Sequence, residues 1–507
     1  MTGAGRGERV WIGVDLGTQG ARALAVTDDG TVVAGASHPL SGHREDGGGG
    51  SGARRHEQDP RDWCRAAAAV LGEVAGRVDP AAVGGIAVDA TSGTVVLVDD
   101  AGGPLTPGVM YDDDRGAGYA DAAQDAGAGL WERLGHRIGS SWALPTVLAL
   151  LAEHPGGRVR HQGDVVTGWL VGRPTATDAS TALKTGYDAA ERRWPLDVLA
   201  RLGVDPAALP DVVAPGAALG GLGREAAEAT GLPVGVPVRA GMTDGCAAQL
   251  GAGAVAPGAW NAVLGTTLVL KGVTGTLLHD PGGTVYSHRA PQGGWWLPGG
   301  ASSTGAGILA DAVDPDRFEA VTARLERAAP RDVPVAYPLA GHGERFPFAA
   351  PDARGFWLDG DRPRPLAELA GAVGEETAFA ALCEGVAHVE RLCFEHVVAL
   401  GADVSGPRTV SGGAVANRWW TGRRAALLGV GLRVPASAEP AFGMALLARA
   451  AVEAGDAEPD VVAAAAAMVR VADVVDPYDD PALDERHARF VAELRRRGWL
   501  PAGADPA

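Results

Sequence analysis

The chain is 507 residues long and 46% apolar, with a formal net charge of −18 at pH 7. That length exceeds what one ordinary core organises, so two or more domains are expected. The acidic balance argues against nucleic acid or an anionic membrane surface as the main partner, and no run of about 18 uncharged apolar residues supplies a membrane span. The opening MTGAGRGERV lacks the apolar centre of a signal peptide, and the four cysteines are scattered without zinc-ribbon spacing, so a reduced, cytoplasmic protein is expected. Gly is very abundant, at 75 residues, which weakens every glycine motif. The Gly-x-Gly-x-x-Ala strings at 221–226, 251–256 and 305–310 are read as chance matches, because none leads to the strand-end acid a dinucleotide loop needs. Only two of the 44 Lys and Arg residues are lysines, Lys184 and Lys271.

Residues 10–16, 21–27 and 31–36 read as short strands joined by the turns DLGTQG and DDG, an antiparallel meander. A Rossmann or P-loop fold would place a helix after the first strand, and no Gly-Lys-Ser/Thr follows here. Residues 41–55 (SGHREDGGGGSGARR) are low-complexity and read as a mobile loop. A helix is expected over 59–78, started by Asp59-Pro60. GGIAVDATSGTVVLVDDAGGPL, 84–105, reads as strand, polar turn, second strand and hairpin turn, with helices around 116–134 and 144–153 and a strand-like stretch and loop at 176–188. Over 237–273 the order is strand (237–241), helix (244–252), Pro-Gly turn, strand (259–264), Gly-Thr-Thr turn and strand (267–273). This second hairpin, AVLGTTLVL, repeats the first, with Gly-Thr between two apolar strands. It points to an internal duplication, with domains at 1–257 and 258–507. A long helix over about 375–400 is followed by strand 408–411, a Gly-Gly turn, a helix from Asn417, strand 431–434 and the small-residue helix EPAFGMALLARAAVEAG. The charged tail, 477–507, reads as peripheral.

A tight turn of Gly and Thr exposes successive backbone N–H groups, and such a nest binds phosphate oxygens without any lysine. Two nests, one per domain, would clamp a nucleotide's phosphates between them. Asp15 ends the first strand between Val14 and Leu16, where it is either a solvated turn carboxylate or the holder of a hydrated Mg²⁺, which takes one or two carboxylates, waters and phosphate oxygens. Asp244 in GMTDG follows a strand and opens a helix. It reads as a helix cap, as the base that receives a proton from a phosphoryl acceptor, or as both.

The order DLGT, GMTDG, GTT, SGGAVAN and EPAFGMALLA resembles the FGGY carbohydrate kinases, members of the sugar kinase, heat-shock ATPase and actin superfamily, over about residues 10–455. The resemblance implies an α/β fold of two ribonuclease-H-like (actin-like ATPase) domains flanking a catalytic cleft. Sugar would bind mainly to the first domain, and ATP between the two. By that likeness Asp15 lies near metal, held through water, and near substrate; Gly17, Thr18 and Gln19 form the first phosphate loop. Gly265, Thr266 and Thr267 form the second, Asp244 is the catalytic base, and Gly412, Gly413 and Asn417 contact adenosine. HEQDPRDW, 56–63, matches a family string with a structural role.

GGIAVDATSGTVVLVD stands where the family contacts its polyol, which makes Asp89, Thr91 and Ser92 candidates. MYDDDRG resembles a pentulose-kinase loop, with Tyr111 in place of Trp. The stretches ASTALKTGYD, TVYSHRAPQGGWWLPGGASSTGAGIL and YPLAGHGERFPF resemble the cyanobacterial and plant D-ribulose kinases. D-Ribulose is therefore favoured as the substrate, D-xylulose comes second, and a related ketose or polyol stays open. The partners expected are the sugar and ATP, with Mg²⁺ as cofactor and a homodimer compatible with the resemblance. Thr146 stands where the family's Pro-Lys signature leads one to expect Lys. Lys184 is either a surface or structural lysine or a compact point charge that Arg would not replace, while His288, Trp295 and Trp296 read as core or lobe-interface residues. A non-catalytic sugar-binding protein on the same fold is the rival. It should have lost the base or a phosphate loop, and neither is missing.

Overall fold

The computed structural model describes residues 9–45, 54–328, 330 and 332–500. Two large sheets carry the molecule. The first runs, edge to edge, through Ala218–Gly221, Pro237–Arg239, Val83–Ala90, Val10–Leu16, Gly20–Thr27 and Val32–Pro39. The second runs through Tyr286–Arg289, Trp296–Ala301, Leu268–Gly272, Trp260–Leu264, Arg408–Ser411, Leu432–Pro435 and Val471–Val475.

The two sheets share one wiring. Val10–Leu16 pairs antiparallel with Gly20–Thr27 and parallel with Val83–Ala90, which pairs parallel with Pro237–Arg239. Trp260–Leu264 likewise pairs antiparallel with Leu268–Gly272 and parallel with Arg408–Ser411, which pairs parallel with Leu432–Pro435. The duplication seen in the Gly-Thr hairpins therefore extends to whole sheets, and the two-domain α/β fold is present.

Period-2 alternation explains how the first strand, VWIGVDL, serves both faces. Val10, Ile12, Val14 and Leu16 join the core under the Pro60–Ala75 helix, with Trp63, Val70 and Leu71. Trp11 points the other way, into a second core built from Asp244–Gly251 and Pro440–Ala454. Asp15 has the parity of Trp11 and Gly13, so its carboxyl emerges on that second face. The Pro440–Ala454 helix comes from the far end of the chain yet packs on the first sheet. It comes so close that a Cβ at Gly13 would fall on the Ala441 carbonyl oxygen, and one at Gly443 on that of Ala247. The small residues of this helix are what permit the approach.

The sequence reading needs three corrections. The runs at 83–90 and 95–98 belong to different sheets: Val95–Val98 lies in a five-stranded sheet with His43–Glu45, Arg55–Gln58, Gly108–Val109 and Arg158–His161, so the polar turn between the two runs is a crossing from one sheet to another. Residues 46–53 of the low-complexity segment lie outside the described residues, but its flanks pair as antiparallel strands, Arg44 opposite His56. The tail is not peripheral. Pro481–Arg496 is an amphipathic helix whose Phe490 and Leu494 enter the core of the second sheet, with Trp260 and Leu270, while Arg486 pairs with the buried Glu384 at 2.8 Å. Its apolar spacing is masked in sequence by the charges of its outer face.

Replacing Gly443 by Ala should destabilise the fold by about 1–3 kcal/mol, because the added methyl meets backbone that cannot move aside. Gly118→Ala, with nothing near the new Cβ, should stay within about 0.5 kcal/mol of the parent. Urea denaturation of the two variants checks both.

Candidate active site

The Gly17 amide donates to the Gly20 carbonyl at 3.0 Å, which closes the first turn and leaves the Thr18 and Gln19 amides without a backbone acceptor. The carbonyls of this turn face inward: that of Thr18 accepts from Gln58 Nε2 at 2.7 Å, and that of Gln19 from the Leu40 amide at 2.9 Å. Gln58 comes from the HEQDPRDW string, which accounts for its structural role. The Gln19 side chain is exposed. In the second turn the Gly265 amide donates to the Thr267 carbonyl at 3.1 Å, and the Gly265 carbonyl accepts from Ala306 at 2.8 Å. Behind it Glu344, nearly fully buried, accepts from Ser302 Oγ, the Ser303 amide, Thr304 Oγ1 and Tyr337 Oη. The segment so fixed lies against Thr266 and Thr267 with no space for a Cβ at Gly305. Close backbone packing thus explains the GAGILA string; no dinucleotide loop is involved.

Asp15 and Asp89 stand directly opposite on paired strands. Burial pushes the Asp15 carboxyl up to about 6, and a hydrogen bond with Asp89 works against that rise. Asp89 is fully buried, and among the described residues no other residue's N–H or hydroxyl group donates to its carboxyl at hydrogen-bond geometry. Burial first, then the Asp15 and Asp244 charges, push it well above the usual carboxylate range. Beside them Ser92 Oγ is buried and unpartnered. Thr91, by contrast, is spent inside the fold on Thr94 (2.6 Å) and Gln162 (2.7 Å). Arg22 binds Glu439 at 2.9 Å and so buttresses the turn from the returning strand.

Thr243 caps the Asp244–Gly251 helix and bridges to Ala90, which brings Asp244 beside the end of the Asp89 strand. Asp244 is the first helical residue, one position past the cap. Its carboxylate accepts from the Gly245 amide at 2.7 Å, and the residue is partly exposed. Burial raises its pKa; the Gly245 amide, Lys184 and Lys271 hold the rise back.

Both lysines of the chain therefore bear by charge on this one carboxylate. Lys184 Nζ also donates to the Ser92 carbonyl at 3.3 Å, and its stem passes by Gly93 and the backbone end of Tyr111, whose side chain is exposed. Neither Lys271 nor the adjoining aromatic wall of His136, Trp142, Tyr286 and His288, with centroids 5.0–6.1 Å apart along it, was singled out for the site by sequence reading. The one usable signal was the scarcity of lysine. His288 bonds the Ser180 carbonyl at 3.2 Å across the two halves, and burial keeps it neutral, which supports its reading as an interface residue. Thr146 is buried against the Gly116 backbone, where the longer lysine would not stay inside.

Gly412 has φ of +90°, and a Cβ there would fall on the Leu264 carbonyl. Asn417 caps the Arg418–Leu428 helix through the Trp420 amide and donates to Thr322 Oγ1, both at 2.9 Å. Its side chain ties the start of that helix to Thr322.

The family model for the N-terminal domain of the FGGY carbohydrate kinases matches residues 10–251, and that for the C-terminal domain matches 260–452. The chain belongs to the FGGY family of carbohydrate kinases. It is thus a phosphotransferase that uses ATP and an alcohol group of a sugar as acceptor. The chain is 31% identical to the xylulose kinase of Streptomyces rubiginosus over 452 residues, 84% of this chain and 85% of that protein. Its fold matches the crystal structure of xylulose kinase from Rhodospirillum rubrum with a TM-score of 0.81 at 27% identity, covering 97% and 99% of the two chains. At 17% identity, gluconate kinase from Lactobacillus acidophilus shares the fold with a TM-score of 0.83.

No cluster of three or more His, Cys, Asp or Glu among the described residues is arranged to hold a metal. A cation at Asp15 would be held by that carboxylate, waters and phosphate oxygens, which suits Mg²⁺. In the free kinase the Asp15 proton is kept by the folded state up to about pH 6 and released by the unfolded chain near 3.8. This contribution to stability is complete below pH 4 and is lost as pH rises to about 6. Asp15→Asn should abolish that slope and be more stable than the parent at pH 7 by about 2 kcal/mol, measured by urea denaturation without metal or nucleotide.

Proposed function

We propose that this kinase phosphorylates the terminal hydroxyl of a pentulose, D-xylulose before D-ribulose, to give the ketopentose 5-phosphate. The reaction type rests on one arrangement: Asp244 opens to the cleft beside Asp89 and the unpartnered Ser92 hydroxyl, with a Gly-Thr turn on either side. The choice of pentulose rests on the relatives, since xylulose kinases are among those similar over most of the chain, one of them at 31% identity. The sequence motifs had put D-ribulose first, and that order is reversed.

In this reading Ser92 and Asp89 orient the ketose, whose acceptor hydroxyl lies against Asp244. As the hydroxyl oxygen forms its bond to the γ-phosphorus of ATP, its proton passes to Asp244 and the bond to the ADP oxygen breaks. The amides of Thr18 and Gln19 and those of Thr266 and Thr267 hold the phosphate oxygens where charge builds up. Mg²⁺, held through Asp15 and water, would neutralise part of that charge. The two halves of the molecule exclude water around the transfer, which limits loss of ATP to hydrolysis.

Asp244→Asn should still bind sugar and nucleotide, while kcat falls by about 10²–10⁴-fold, the usual range for a general base. Near-normal kcat would remove Asp244 from that role. A coupled ADP-release screen over D-xylulose, D-ribulose, ribitol, xylitol, arabitol, glycerol and sedoheptulose should give its highest kcat/KM with D-xylulose. A higher value for D-ribulose would restore the sequence-based order, and a non-pentulose at the top would end the pentulose reading.

A further inference from the structure

Lys271 lies in the Leu268–Gly272 strand, straight after the second Gly-Thr turn, with its Cα opposite Asn261 and Gly299. It is only 8% exposed. Its stem crosses the helix that Asp244 opens, so that a Cβ on Gly245 would sit 2.9 Å from Lys271 Cε. The one hydrogen-bond acceptor of its ammonium among the described residues is Cys246 Sγ, at 3.6 Å. A thiol is a weak acceptor, and a buried ammonium left with one is costly unless charge nearby compensates it. The residue that precedes Gly245 and Cys246 is Asp244.

We propose that Lys271 is a positioning residue for Asp244, an ammonium laid by the second half of the molecule across the base's helix to fix that carboxylate and keep it ready for a proton. The inference rests on the reading of Asp244 as the base. Composition supports it independently. In a chain where 42 of 44 such cations are arginines, both lysines bear by charge on the same carboxylate, Lys184 from one half and Lys271 from the other. A guanidinium is broad and planar, whereas the unbranched lysine stem with its compact head passes over Gly245. The glycine after the base is thus the opening through which the lysine reaches.

The charged and titratable groups around Asp244 define what removal of Lys271 does. Asp15 and Asp89 act on it from the first sheet, and Lys184 from the helical turn Leu183–Thr185 beside Ser92. Tyr286 and the neutral His288 lie on the second-sheet side, next to Lys271. Cys246 is on its own helix, with Asp178 behind. Without Lys271 the carboxylate faces Asp15 with a single cation left.

Lys271→Met should therefore lower kcat at pH 7 by about tenfold or more, with a smaller change in the sugar KM, and move the acid limb of the kcat/KM profile upward by about one pH unit. Part of the lost rate should return at alkaline pH. Lys271→Arg should not restore it. The assay uses D-xylulose and MgATP, or D-ribulose where the screen prefers it. An acid limb that stays in place, whether the rate is unchanged or falls equally at every pH, overturns the proposal, as does full activity in Lys271→Arg. If Lys271→Met fails to fold, Gly245→Ala keeps the lysine and displaces it, and the same limb shift is expected; an unmoved limb there also overturns it. Asp244→Asn separates the two readings. Near-normal turnover in that variant removes the base itself, whereas a dead Asp244→Asn beside an unmoved Lys271→Met limb removes only the lysine's role.

Discussion

The architecture depends on backbone meeting backbone where its two halves join. The Pro440–Ala454 helix touches the first strand at Gly13 and the Asp244–Gly251 helix at Gly443, and no side chain fits at either point. Contacts of this kind are stiff, because close-packed interiors respond to added volume with strain and not with flow. The spacing between the two Gly-Thr turns, and the place of Asp244 between them, is inherited from this junction. Glycine-rich composition, which at first only dilutes motif searches, is in part the signature of that packing.

Within the junction the cleft is an environment of paired carboxyls and buried cations in little water. Asp15 and Asp89, directly opposite on neighbouring strands, cannot both be charged at low cost. Asp244 is instead held down by the charges of Lys184 and Lys271. The same type of side chain thereby meets different electrostatic surroundings at positions close together, which suits the different duties proposed for them.

Much of this was legible in the chain. The meander at 10–39, the helix after Asp59, the Gly-Thr hairpins and the Asp244 helix all follow local rules of alternation, capping and turn chemistry, and each falls within a few residues of its expected place. What escaped was non-local. That 83–90 and 95–98 part into two sheets depends on partners far along the chain, Val10–Leu16 for one and Arg158–His161 for the other. The tail helix was hidden by its arginines, three of which, Arg486, Arg495 and Arg496, sit around an apolar face of Leu483, Phe490 and Leu494. The bonds that Asn417 makes to the Trp420 amide and to Thr322 also depend on distant packing. Lys271 carried no local signal beyond its rarity, because its meaning lies in a helix from the other half of the molecule.

The crossing at Thr91–Thr94 has a consequence for how such an enzyme can change. Asp89 belongs to the large sheet that carries the first Gly-Thr turn, whereas the chain just past Ser92 enters the small five-stranded sheet, together with the strand that ends before Tyr111. In the proposed reading the part that meets the acceptor is therefore mounted on a separate platform, tied to the reacting centre by a few residues. Loops and strands of that platform can drift, lengthen or be exchanged, and a new alcohol can be admitted, while the groups that handle ATP keep their places. Diversity of acceptors on one scaffold then needs no redesign of the transfer itself.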